Sequence, residues 1–400
     1  MPRAVQNLLY ALMVVALPAI TQFLVSSVVF SDGALLVVPT IAWPTWPVLG
    51  AFLGWLVFQA ALMRFLPGKV VQGMPLNDGR RLSYTTNGLL SFVITLAAAA
   101  GLSLVVGPAW LFEHWAPLVT TANLVVLVGC VALVVLSRPQ GSAEEKARNP
   151  LEAYVLGAAL NPRTGSFDWK FFCESRPGMI LWMLVNLSAA YAQHRLHGAV
   201  TNSMWIVLAV QGLYVIDYFV FEDAILTTWD IQHESFGLTL CWGCLVWIPF
   251  TFSLQAVYLA RHPVDLPVWA CVAIVALNLA GYGIFRSANL QKNEFRRKGQ
   301  SVIFGKPAEF IQTKRGTKLL VSGWWGVARH ANYLGDLMMG LAWCLATGTE
   351  RFVPYFYIVY FTILLVHREW RDGEHCAAKY GDDWKAYVAR VRWRIVPGVY

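Results

Sequence analysis

LPVWACVAIVALNLAGYGIFRSANLQKNEFRR, residues 266–297, changes character once along its length. Up to Gly283 and Phe285 it is apolar and carries no charge, and a run of about 20 such residues is enough to cross the roughly 30 Å hydrocarbon core of a bilayer. The pattern predicts a membrane span over 266–286. The charges then arrive together: Lys292 and Arg296 stand four residues apart, so on a helix both cations share a face. That pairing suits a phosphate or pyrophosphate, while positive-inside anchoring reads the same cations differently. A charged block abutting a nearly charge-free span places a polar site at a membrane surface, which points to a membrane enzyme.

Working outward, the composition agrees. Hydrophobic residues make up 57% of the 400-residue chain and charged ones 14%, against roughly 25% charged in soluble domains. Seven further strong apolar runs cover 8–30, 46–66, 88–112, 117–137, 178–196, 203–222 and 236–260, and two weaker ones cover 333–348 and 352–366. The expected fold is therefore all-α, a polytopic membrane protein of about ten transmembrane helices. The first run is longer than a signal-peptide core and lacks a small-residue cleavage site after it, so it is expected to stay as an anchor.

Residues 287–400 hold 17 of the 31 Lys and Arg, which puts the 287–320 segment and the tail after 367 on the cytoplasmic side. The net charge of +8 follows from that bias, and no basic stripe interleaved with aromatics outside it suggests nucleic acid. The seven cysteines are scattered, mostly in apolar runs, so no disulfide framework is expected. Cys241 and Cys244 form CWGC, but without a second pair or a βαβ context small-residue helix packing is the preferred reading over redox chemistry. His330, His367 and His375 match no helical HExxH spacing, and no metal is expected.

The chain divides into N-terminal spans to residue 140, a structured loop with the fifth span over 141–200, and a catalytic membrane half over 201–400. A linker, SRPQGSAEEKARNP (137–150), leads to ALNPRTGSFDWKFFCESRPG (159–178), where Pro and Gly break helices and charges alternate in sign. In QGLYVIDYFVFED (211–223), Tyr214, Asp217 and Tyr218 share a helical face near the end of a span. Ionisable groups there usually face a cavity or a partner, although interfacial tyrosines capping a span give the same pattern. WDIQHESFG (229–237) adds a charged turn that could line the same pocket.

The C-terminal stretch HREWRDGEHCAAKYGDDWKAY (367–387) repeats Asp372, Cys376 and Tyr380 at four-residue spacing; Gly381 can stop that helix and Asp382 can cap another bearing Trp384 and Tyr387. No GxGxxG follows a strand, so a dinucleotide, if bound, is held without a Rossmann fold.

Seven stretches together, GMPLNDGRRLSY, LNPRTGSFDWKFFCESRPG, LYVIDYFVFE, ANLQKNEFRR, LLVSGWWGVARHANYLGD, PYFYIVYFTILLVHR and RDGEHCAAKYGDDWKAY, resemble in content and order the sterol reductases of ergosterol and cholesterol synthesis, among them the membrane half of lamin B receptor. The chain looks most like the bacterial delta-14 type. The resemblance implies ten spans, NADPH as reductant in a cytosol-facing C-terminal pocket, and sterol reached from the bilayer. Carried over by motif position, Lys292 and Arg296 contact the cofactor phosphates; Leu320, Trp325, Asn332 and Tyr333 line its path; Asp372, Cys376, Lys379, Tyr380 and Tyr387 complete the set. For a delta-14 sterol, carbon 15 takes a proton and carbon 14 a hydride, and Tyr214 is the expected donor with Asp372 as its support or proton source.

Delta-7 or delta-24 reduction remains an alternative. So do an isoprenylcysteine-type membrane methyltransferase, against which Ala331 stands where that family has Pro, and a non-catalytic sterol-binding protein. Beyond sterol and lipid no obligate protein partner is expected. Absence of a long N-terminal extension or a retrieval signal at Val399–Tyr400 favours a bacterial cytoplasmic membrane, with the endoplasmic reticulum as alternative.

Overall fold

The computed structural model describes residues 3–34, 37–76 and 79–400; Asn77 and Asp78 of the GMPLNDGRRLSY stretch lie outside the described residues. Among the described residues seven helices are long and apolar enough to cross a membrane: Arg3–Phe30, Trp46–Phe65, Gly88–Val106, Trp115–Gln140, Asn202–Val220, Leu238–Arg261 and Val268–Lys298. They coincide with seven of the expected spans, and the chain is an integral membrane protein.

The other three expected spans are also helical, but each departs from a simple hydrocarbon-crossing rod. Pro177–His197 holds buried Asn186 and Gln193 and ends on His194, Arg195 and His197. Ala331–Leu345 has 15 residues, about 22 Å at 1.5 Å per residue. Phe356–Tyr380 is apolar only over its first three turns and charged from His367 onward.

The all-α expectation needs one correction. Four two-stranded antiparallel hairpins pair Lys69–Pro75 with Arg81–Thr86, Arg163–Thr164 with Phe167–Asp168, Val302–Ile303 with Lys306–Pro307, and Phe310–Gln312 with Lys318–Leu320. Each lies in a polar connection between helices, where a hairpin satisfies backbone groups that a bilayer would leave unpaired. The strands of the last three hairpins are only two or three residues long, too short to show a period-2 signal, and in the longer first hairpin Lys69–Pro75 has no regular alternation of apolar and polar residues.

The chain forms two compact units, Met1–Val264 with Arg351–Val353, and Asp265–Glu350 with Pro354–Tyr400. In the first, the 159–178 stretch is a knot of buried polar contacts. Asp168 accepts from the Phe171 amide at 2.9 Å and from Arg163 Nε at 3.0 Å. Lys170, fully buried, donates Nζ to the Ile231 and Glu234 carbonyls at 2.9 and 2.6 Å. Burial lowers its pKa against the opposing pull of Glu174 and neighbouring acids. CWGC spans the junction of the helix Leu238–Trp242 with a π-helical turn, Gly243–Trp247. Both cysteines are buried and unbridged, and Gly178 backs directly onto the Cys244 carbonyl, leaving no room for a Cβ. A residue without a side chain, Gly178, is what allows this close approach.

In the second unit, Val268–Lys298 runs for 31 residues, about 46 Å, so its last turns stand clear of a roughly 30 Å core. It packs along Ala331–Leu345 at Gly281 and Gly335, where a Cβ on Gly281 would sit 2.7 Å from the Gly335 carbonyl and 2.8 Å from Met338 Cβ. Gly281→Val is expected to cost about 1–3 kcal/mol by overpacking, read as a lower unfolding midpoint in detergent. Gly283→Val, whose Cβ meets nothing within 4 Å, is the control; equal midpoints for the two would refute the close-packing account.

Candidate functional site

The exposed end of Val268–Lys298 forms one wall of a cleft in the second unit. Lys292, Phe295 and Arg296 come from it, Lys318, Leu319 and Leu320 from the second hairpin strand, and Trp325, Arg329 and His330 from the SGWWGVARH turn. Asp372, Cys376, Tyr380, Trp384 and Tyr387 close the other side. The cleft has a cavity volume of about 130 Å³ and opens to solvent, so it is a shallow groove, smaller than the roughly 300–1,000 Å³ of fully formed ligand pockets.

Local chemistry explains how these side chains are held. Gly323, at φ +61°, turns the chain tightly against Gln291, whose Oε1 accepts from the Trp324 amide at 3.1 Å. Trp324 then donates Nε1 to Ser287 at 2.7 Å, and Trp325 donates to the Ala288 carbonyl at 2.8 Å. The two indoles thus fasten the turn to the helix. Lys292 Nζ lies 4.1 Å from the Trp325 ring centroid, a cation–π contact. Phe295, Ile303, Leu320 and Trp325 make the small core beneath the cleft. The Phe356–Tyr380 helix brings Asp372, Cys376 and Tyr380 to one face, Gly381 at φ +56° ends it, and Asp382–Arg390 supplies Trp384 and Tyr387 with their rings stacked at 4.9 Å.

The electrostatics are asymmetric: Lys292, Arg296, Lys318 and Arg329 line the cleft against the single carboxylate of Asp372. Burial raises the Asp372 pKa, but the hydrogen bond and charge of His330, 3.3 Å away, with Lys292 and His375, more than offset it and hold the carboxyl below the usual carboxylate range. Cys376 is pushed up to about 11, chiefly by burial and then by Asp372, and remains a thiol. Burial likewise raises Tyr387. Among the described residues no cluster of His, Cys, Asp and Glu suits a metal ion. Cations beside flat aromatic rings suit an anionic ligand with planar groups, as a dinucleotide has.

Of the cofactor residues expected from sequence, Lys292, Arg296, Leu320, Trp325, Asp372, Cys376, Tyr380 and Tyr387 line this cleft. Asn332, Tyr333 and Lys379 do not. Asn332 donates to Asn289 Oδ1 at 3.4 Å, Tyr333 stacks on His330 with centroids 4.8 Å apart, and the Lys379 ammonium lies 5.2 Å from the Tyr380 centroid. Phe295, Lys318, Leu319, Arg329, His330 and Trp384 were not expected. Phe295 falls off the four-residue spacing of Lys292 and Arg296, and Arg329 and His330 carry no spacing signal of their own within LLVSGWWGVARHANYLGD.

Tyr214 belongs to the first unit, half-buried on Asn202–Val220 with the Trp182 ring 6.0 Å away. A buried amide network lies one turn before it: Gln211 Oε1 accepts from Trp182 Nε1 at 3.0 Å and from Asn186 Nδ2 at 2.6 Å. Its face-mates serve structural contacts. Tyr218 donates to the Glu174 carbonyl at 2.8 Å, and Glu222 pairs with Arg176.

A family model described as the Ergosterol biosynthesis ERG4/ERG24 family matches residues 9–400. A Delta(14)-sterol reductase of Methylotuvimicrobium alcaliphilum is 50% identical over 406 residues, covering 98% of this chain and 94% of that protein. A Delta(14)-sterol reductase of Dictyostelium discoideum is 40% identical, covering 96% and 88%. A 7-dehydrocholesterol reductase of Xenopus laevis is 42% identical, covering 89% and 81%. With a family model spanning nearly its whole length and relatives of this identity, the chain belongs to the ergosterol biosynthesis ERG4/ERG24 family.

Proposed function

We propose that this protein is an NADPH-dependent delta-14 sterol reductase, adding a proton to carbon 15 and a hydride to carbon 14 of a sterol drawn from the bilayer. The observation that carries the reading is the cation-lined, aromatic-walled cleft of the second unit, all of whose lining residues fall within the region the family model matches. Lys292 and Arg296 would hold the cofactor phosphates, Trp325, Tyr380 and Tyr387 would flank its planar parts, and Leu320 and Cys376 would shield it from water. Bound there, NADPH supplies the hydride.

The chain's own residues supply the proton and its delivery. Tyr214 is proposed to donate from its hydroxyl. Asp372, held ionised at neutral pH, fits the role of support better than that of proton source. Asn332, Tyr333 and Lys379 are proposed to act from behind the cleft wall. We also propose that the seven apolar helices and the three further ones make ten spans, with the cleft facing the cytosol. Residues 201–400 would then be the catalytic part, after N-terminal spans to 140 and the loop and fifth span over 141–200, in a bacterial cytoplasmic membrane.

One observation favours a second reading: the Xenopus relative at 42% identity is named for a different double bond, so delta-7 reduction is the rival. Anaerobic turnover of purified protein with NADPH and, separately, a delta-8,14, a delta-7 and a delta-24 sterol, with products identified by mass spectrometry, decides between them. Product from the delta-7 sterol alone moves the assignment, and absence of NADPH binding removes the reductase reading. Lys292→Met and Arg296→Met are each expected to raise the KM for NADPH about tenfold or more, since a charge-assisted hydrogen bond contributes about 1.5–3 kcal/mol. A KM unchanged in both variants would exclude them as phosphate ligands.

A further inference from the structure

Glu369 lies three residues before Asp372 on Phe356–Tyr380, yet it faces inward and is 1% exposed. A carboxylate so buried is costly unless it is paired and hydrogen-bonded. Arg394 Nη1 donates to its Oε2 at 3.0 Å, the Tyr400 hydroxyl donates to the same oxygen at 3.2 Å, and Arg329 Nη2 lies 3.9 Å from Oε1. These partners come from two segments that the backbone also joins. The Arg329 amide donates to the Trp393 carbonyl at 2.9 Å, and the His330 amide donates to the Arg394 carbonyl at 2.9 Å. The amides of Arg394, Ile395 and Val396 all donate to the Tyr400 carbonyl at 2.9–3.1 Å, folding 394–400 into a closed turn.

His330 is thereby fixed by its backbone on one side and by stacking on Tyr333 on the other, and its Nε2 is left 3.3 Å from Asp372 Oδ2. We infer that Glu369 is a positioning residue: its carboxylate fastens the 328–330 segment and the 393–400 turn to the helix carrying Asp372, and so sets His330 against Asp372 in the cleft. Glu369 does not line the cleft; it acts through Arg329 and Arg394. The inference deepens the reductase reading and rests on it for the identity of the ligand.

The test is Glu369→Gln, which keeps the shape and removes the charge. Amide exchange followed by mass spectrometry should show faster exchange at 328–330 and 393–396, and the KM for NADPH should rise about tenfold with kcat changing far less, because Arg329 and His330 of the cleft wall lose their fixed positions. Tyr400→Phe, which removes one half-exposed hydroxyl, should raise KM about threefold and add little in the double variant, as coupled partners do. If Glu369→Gln does not fold, Tyr400→Phe carries the test. Faster exchange with KM unchanged overturns the positioning role, and unchanged exchange overturns the fastening itself. NADPH binding to the unaltered protein, followed by tryptophan fluorescence, is the separate control: its failure strikes the cofactor reading, while the exchange result still decides whether Glu369 fastens the two segments.

Discussion

Tyr214→Phe is expected to lower sterol turnover by about 10²–10⁴-fold, the usual contribution of a positioned general acid, while the protein folds and binds NADPH normally. An unpolarised carbon–carbon double bond is not electrophilic enough to accept hydride, so its π pair must first take a proton at one carbon, leaving a cation at the other that the hydride quenches. That proton must come from a group inside the apolar region where the sterol ring lies. Tyr214 is on an apolar helix, half-buried beside the Trp182 ring, and aromatic faces in such a place stabilise positive charge developing on the substrate. The substitution removes one oxygen and no packing volume, so fold and turnover can be separated. The measurement is kcat with a delta-8,14 sterol, alongside the NADPH dissociation constant. Turnover retained within a few-fold in the well-folded variant would remove Tyr214 as donor and direct attention to the other hydroxyls and acids of this helix face.

Much of the architecture was legible because membrane helices announce themselves by length and charge depletion. Val268–Lys298 shows it best: its apolar two-thirds give the span, and its charged end gives one wall of the cleft. Pro177–His197 was legible as a helix, yet its buried Trp182 and Asn186 donate to Gln211 and its buried Gln193 donates to the Leu259 carbonyl, roles that hydropathy does not encode. The three short hairpins were not legible, since pairs of two- and three-residue strands such as Arg163–Thr164 are set by turns and by side-chain contacts distant in sequence, and in the first hairpin Lys69–Pro75 lacks a regular apolar–polar alternation.

The cleft was half legible. Residues on one helix at four-residue spacing, Lys292 with Arg296 and Asp372 with Cys376 and Tyr380, come together because the helix repeat places them so. Arg329, His330 and Glu369 depend on a backbone pairing between 328–330 and 393–394, more than sixty residues apart. Sequence spacing holds no record of that pairing. One clue was present: Glu369 stands three residues from Asp372 on the same helix.

Arg176→Ala is expected to destabilise the protein by about 3–5 kcal/mol, the cost of leaving one partner of a buried ion pair uncompensated. Arg176 is fully buried and Glu222 nearly so, and the two form a direct ion pair. The pair is also the junction of three chain segments. Arg176 Nη2 donates to Asn87 Oδ1 at 2.7 Å and Nη1 to Ser175 Oγ at 3.0 Å, while Glu222 Oε2 accepts from the Gly88 amide at 2.7 Å. Asn87 in turn donates to the Leu66 carbonyl at 2.9 Å. The start of Gly88–Val106, the start of Pro177–His197 and the end of Asn202–Val220 are therefore tied at one polar knot, and Gly88 has no space for a Cβ, which would meet Phe219 at 2.6 Å. Glu222→Ala should cost a similar amount, and the double variant less than the sum, because removing both charges ends the penalty of an orphaned one. By contrast Glu294→Ala, breaking the solvent-exposed pair with Lys298, should leave the unfolding midpoint unchanged, because water screens such a pair. Denaturant unfolding in detergent micelles measures all four, and strict additivity of the Arg176 and Glu222 losses would show that the two side chains act independently and that the knot is not what holds these helix ends.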